Sequence, residues 1–215
     1  MQYVFRAVLP VKRWRRRRPS AYLVALPLFL CMVHGLANMG SDSASLRRLF
    51  SKELQNRAVG HLATQQLQAD RAGLPDGEFW SAYAALETFN QCVYAPYARR
   101  YELTVDASPT SRLAAKAARL LFQLPPKHYG KILLDGARRH TERLKALIDL
   151  SPAADRAFFR YVVEQERIQI LASEKVRVLD FSGASDILRG VVERHATAGF
   201  HECSEGLHRK SEAEG

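Results

Sequence analysis

Four long stretches of this chain repeat their apolar residues at intervals of three and four, and its strongest breaks, Gly73-Leu74-Pro75, Pro125-Pro126 and Ser151-Pro152, fall between them. That period matches one face of an α-helix rather than the alternation of a strand. An amphipathic helix buries its apolar face against other helices, so the pattern predicts an all-α fold built as a four-helix bundle over residues 43–175.

The first helix is expected from about Ala44 to Arg71, after the cap candidates Ser41, Asp42 and Ser43 and before Gly73 and Pro75. Asp76 is placed to cap the second, which has Glu78 in its first turn and a stripe of Phe79, Tyr83, Leu86, Asn90, Val93, Tyr94, Tyr97 and Tyr101. Pro96 is a candidate kink near its end. Residues 103–127 then read as a loop at Asp106, Ser108 and Pro109, a short helix in RLAAKAARLLFQ, and a break at Pro125-Pro126. So long a connection suits a crossover from one end of a bundle to the other, in an up-down topology. A third helix follows from about Lys127 to Leu150, and a fourth opens on Ser151-Pro152 and runs to about Lys175. Within residues 176–198 a further helix, from about Ala184 to His195, is expected to pack back on the bundle, and residues 199–215 form a polar, disordered tail.

Ahead of the bundle lies a segment of a different kind. The net charge of +10 includes Arg6, Lys12, Arg13 and Arg15 to Arg18, with no acid among residues 1–20; removing those seven charges leaves only +3 for the rest. The body therefore has no basic stripe for nucleic acid, and nucleic acid is not an expected partner. Residues 21–38 begin with the apolar run AYLVALPLFLCMVHGLA, roughly 17 residues long and at the short limit for a bilayer span. It reads as a signal peptide cut after Ala37, as a retained anchor with the body outside, or as untranslated sequence ahead of a start at Met39. The last reading makes the protein cytoplasmic; the others make it exported or held at the inner membrane. Cys31, Cys92 and Cys203 are odd in number and scattered, which predicts neither a disulfide framework nor a zinc site. His195, His201, Cys203 and His208 are irregularly spaced and read as solvated. There is no Gly-rich phosphate loop and no G-x-S-x-G turn.

The informative residues are polar ones at core positions. On the first helix Glu53, Arg57 and His61 fall inside the arc of Leu46, Leu49, Phe50 and Leu67. Asn90 lies near the centre of the second helix's arc and Glu87 on its flank. On the third His140 stands among Leu133, Ala137, Leu144 and Leu147, while on the fourth Glu166 and Gln169 share the side of Phe158, Phe159, Val162, Val163 and Ile170. A buried carboxylate has to be paired, protonated or bound to a metal.

In architecture the chain resembles the ferritin-like di-iron carboxylate proteins over residues 44–175. That family has four long helices, a long crossover between the second and third, one Glu on each of two helices and Glu-x-x-His on each of the other two. Glu53 matches a lone glutamate; Glu87 and Glu166 match the glutamates of the two motifs, with Asn90 and Gln169 where the histidines would stand; His140 occupies the remaining glutamate position. The resemblance implies iron or manganese held by Glu53, Glu87, His140 and Glu166, supported by Asn90, Gln169, His61 and Arg57, on a degenerate ligand set in which amides replace imidazoles. The residues themselves leave a second reading open. Arg57 shares its face with Glu53, so an ion-pair network could satisfy the acids in a non-catalytic helical interaction module.

Overall fold

The computed structural model describes residues 42–104, 106–197 and Cys203, and these residues form six helices with no strand among them. The helices are α1 (Asp42–Asp70), α2 (Gly77–Arg100), α3 (Pro109–Leu121), α4 (Pro126–Leu150), α5 (Arg156–Arg177) and α6 (Phe181–Thr197). The segments 1–20 and 21–38 lie outside the described residues, as does the tail apart from Cys203. Among the described residues no helix is long and apolar enough to cross a membrane.

The breaks act where their chemistry directs. Ser108 accepts a hydrogen bond from the Ser111 backbone N–H at 3.0 Å, and Pro109 stands in the first turn of α3, where no donor is lost. Asp76 precedes α2 but makes no capping bond with its side chain; the buried carboxylate turns inward, accepting from Trp80 Nε1 at 3.1 Å and from the Tyr129 hydroxyl at 2.6 Å. Pro96 lies inside α2, which continues to Arg100. The fourth long helix starts later than Ser151-Pro152 suggests. A 3-10 turn, Ala153–Asp155, intervenes, and its buried Asp155 accepts from the Tyr101 hydroxyl at 2.7 Å and from Arg100. The last helix starts earlier than expected, because Asp180 accepts from the Gly183 N–H at 2.9 Å and so caps Phe181–Thr197.

Side-chain contacts give the helix directions. Leu67, late in α1, shares a core with Phe79 and Trp80, early in α2, whereas Phe50 meets Tyr94 and Tyr101 near the end of α2, so the two run antiparallel. Tyr129 at the start of α4 meets Trp80, so the chain crosses between α2 and α4 from one end of the body to the other. On the way α3 packs Ala115 and Ala118 on Ala63 of α1, and Arg119 pairs with Asp70. Helices α4 and α5 approach closely at Gly130, where a Cβ would lie 3.1 Å from the Arg177 backbone N.

The interior has an apolar layer at each end. One contains Phe50, Tyr94, Leu147, Phe158 and Phe159, with Tyr97 stacked on Phe158; the other contains Leu67, Phe79, Trp80, Tyr129 and Val176. Helix α6 is part of this packing and not an appendage: it contacts both α2 and α5 and buries Ala184, Leu188 and Val191 in the second layer.

The scattered cysteines predict no disulfide, but the structure joins Cys92 to Cys203 with 5.5 Å between their Cα atoms. The correction comes from tertiary placement: α6 runs alongside α2, and Cys203 beyond it rests against the first apolar layer.

Candidate functional site

Between the two apolar layers the helices present polar side chains inward. Turn by turn, α1 places Glu53, Arg57 and Gly60 on this level; α2 adds Glu87 and Asn90, α4 adds His140, and α5 adds Gln165, Glu166 and Gln169. Spacings of three and four keep each set on one helix face. Glu53, Glu87, Asn90 and Glu166 are buried, and Arg57 is 6 % exposed.

Arg57 is the hub. Its Nη1 donates to Glu87 Oε1 at 2.8 Å and to Gln165 Oε1 at 3.2 Å, and its Nη2 donates to Glu166 Oε1 at 2.5 Å. Its Nε lies 3.1 Å from Glu53 Oε1, so one guanidinium faces carboxylates from three helices. The planar, always-charged fork of arginine suits such a position better than the point charge of lysine. The Tyr94 hydroxyl donates to Glu53 Oε1 at 2.9 Å, and His140 Nε2 lies 2.6 Å from Glu53 Oε2. The His140 side chain is 21 % exposed and connects the cluster to the surface.

The two amides are engaged as hydrogen-bonding groups. Asn90 Oδ1 accepts from the Tyr161 hydroxyl and its Nδ2 donates to Gln165 Oε1 at 3.3 Å. Gln169 Oε1 accepts from the Tyr83 hydroxyl at 2.6 Å, and its Nε2 donates to Gln165 Oε1 at 2.6 Å. Gln165 in turn donates to Glu166 Oε1 at 3.0 Å.

The charges are unevenly matched, with three carboxylates sharing one permanent cation. Burial opposes ionisation of Glu53, but Arg57 and His140 outweigh it and hold its carboxyl below the ordinary value. Burial likewise opposes a proton on His140, and Glu53 outweighs that to raise the imidazole above its usual value. Burial pushes Glu87 up to about 7 despite Arg57, with Glu166 and Glu53 adding to the rise. Its Oε2 is buried and has no hydrogen-bond partner. A Cβ on Gly60 would sit 3.2 Å from Glu87 Oε1, so this mid-helix glycine is what lets the carboxylate lie against α1.

Glu53, His140 and Glu166 each offer a ligand atom, and these atoms lie within 4.8 Å of one another; Glu87 is not in that group. No protein-family model matches this chain, and neither curated proteins nor solved structures give a match.

The structure thus gathers Glu53, Glu87, His140, Glu166, Arg57, Asn90 and Gln169 on one level, while His61 lies half-buried one turn along α1 from Arg57. Sequence reasoning overlooks Gln165, Tyr161 and Gly60. The first is legible in retrospect from the spacing of Val162, Gln165, Gln169 and Ala172, all buried on α5. For Tyr161 the only signal is its place beside that face. Gly60 is signalled as the one glycine, with no proline, in the stretch Asp42–Asp70.

Proposed function

We propose that this chain is a ferritin-like four-helix body in which Arg57 takes the place of the metal pair, and that it serves as a non-catalytic module that binds other proteins through its outer faces. The supporting observation is the guanidinium shared by Glu53, Glu87 and Glu166. A pair of iron or manganese ions does not fit these residues. One ion would stand against a fixed positive charge among the same oxygens, and the amides of Asn90 and Gln169 are turned to tyrosine hydroxyls and Gln165 where the family pattern supplies imidazoles. The crossover between α2 and α4, with α1 antiparallel to α2, agrees with the ferritin-like arrangement.

A second reading has its own observation. The spacing of Glu53, His140 and Glu166 suits a single divalent cation, iron or manganese included, with Arg57 orienting two of its ligands through its contacts with Glu53 and Glu166.

Metal analysis of natively purified protein separates the two, with Glu87→Ala and Glu166→Ala as controls. The Arg57-filled reading expects sub-stoichiometric metal in all three samples. The single-ion reading expects near-stoichiometric metal in the wild type and in Glu87→Ala, and its loss in Glu166→Ala. The first reading also expects Glu166→Gln to unfold at a higher denaturant concentration than Glu166→Leu, since hydrogen bonding is what the position requires. Equal losses in both would count against it.

A further inference from the structure

We infer that the body matures in an oxidising compartment, where the Cys92–Cys203 bond clasps the C-terminal end of the α6 segment onto α2. This inference does not depend on whether the central cluster binds a metal.

The argument begins with register. Arg189 of α6 donates to Glu78 of α2 at 2.7 Å, and the two are 111 residues apart in sequence. Cys92 and Cys203 are also 111 residues apart. Two links with one offset are what parallel, in-register segments produce, and helices α2 and α6 do pack against each other. The disulfide therefore joins Cys203 to α2 at the sequence offset that the ion pair sets between α2 and α6. Cys203 also rests against the first apolar layer, so the residue is seated as well as bonded.

Helix α6 thins toward this end. It is 17 residues long, and its fully buried residues, Ala184, Ser185, Leu188 and Val191, stop short of Thr197, leaving the partly buried Val192 and Ala196 to pack against the first apolar layer. Its last turns keep a contact between the His195 and Tyr161 rings, and the latter hydroxyl bonds Asn90 of the central cluster. Fraying of α6 would reach the interior through that ring, and a covalent link beyond it prevents this.

The bond also constrains the compartment. Cys92 is exposed, and an exposed disulfide is kept reduced by cytosolic thiols but persists where those are absent. In the maturation step two thiols lose two protons and two electrons and one S–S bond forms. A dithiol–disulfide oxidant accepts the electrons through a mixed disulfide and leaves as its dithiol. Of the three readings of residues 1–38, those that carry the body out of the cytoplasm are compatible with this.

The test uses the full chain expressed in its own host. Cells are quenched in acid, and free thiols are tagged with a maleimide of known mass before and after reduction. Cys92 and Cys203 should resist the tag until reduced, and they should do so equally in a Cys31→Ser variant. Labelling of both without reduction, or a bond from either to Cys31, would overturn the inference. On purified protein, Cys92→Ser, Cys203→Ser and the double variant should share one melting temperature, lowered by roughly 10 °C, as expected for opening a long loop. Reductant should bring the wild type to the same value. Unequal single variants, or a wild type indifferent to reductant, would show that the two residues do not form a clasp.

Discussion

Buried acids stand both at the ends of this helical body and at its middle, and they are satisfied in different ways. At one end Asp76 accepts from Trp80 and Tyr129; at the other Asp155 accepts from Tyr101 and Arg100. Each of these aspartates has its own donors, and each ties two helices together where the chain turns. At the middle, three glutamates from three helices divide one arginine, a histidine, a tyrosine and the Gln165 amide among them, and Glu87 keeps one oxygen with no partner. An acid with private donors behaves as an independent latch. Acids with shared donors fail together, because removing one donor changes the field on all of them.

Substitutions can break that contrast. The largest expected effect is at the shared cation. Arg57→Met leaves three buried carboxylates without their counter-charge and should cost about 3–5 kcal/mol by denaturant unfolding at neutral pH. The loss should shrink on acidification, as protonated carboxyls no longer require a cation. A cost no greater than that of an end latch, with no pH dependence, would erase the distinction between the two regions.

Next in size is the pH signature of Glu87. Its folded value of about 7 lies above the ordinary 4.5, so the folded state holds a proton that the unfolded state releases between these two values. Stability from this group is therefore present below about 4.5 and is lost as pH rises through about 7. Glu87→Gln, which cannot ionise, should match the wild type in acid and exceed it above neutrality by up to roughly 3 kcal/mol. Parallel stability–pH curves for the two proteins would refute the assignment.

A smaller loss is expected at an end. Tyr129→Phe removes one donor from Asp76 and leaves Trp80 in place, which should cost about 1–2 kcal/mol with little pH dependence near neutrality. A strong dependence would mean that the ends are coupled like the middle. Smallest of all is Gly60→Ala. Its helix-propensity gain of about 1 kcal/mol opposes crowding against Glu87, and the sum should be near zero in thermal unfolding. A loss several times larger would show that the Glu87 carboxylate cannot move.

Much of this was legible in the residues. Pro125-Pro126 and Gly73-Leu74-Pro75 mark real turns, and the helical wheel brings Glu53, Arg57, Glu87, Asn90, His140, Glu166 and Gln169 inward, as the structure does. Local chemistry was less reliable where side chains had a choice of partner. Asp76 and Asp155 stand where caps would, yet neither caps with its side chain: Asp76 accepts from the Trp80 indole of its own helix and from the Tyr129 hydroxyl of α4, and Asp155 from the Tyr101 hydroxyl beyond the end of α2. Arg57 was readable as a neighbour of Glu53 four residues away; its bonds to Glu87 and Glu166 depend on α2 and α5 standing opposite.

The sequence by itself determined the helices and the inward face of each, because periodicity, caps and breakers act within a few residues along one chain segment. Only the tertiary structure decided which inward groups share a bond. The guanidinium at the centre of three acids and the disulfide across 111 residues both arise from how separate helices pack, and no local pattern encodes the distance between two segments far apart in the chain.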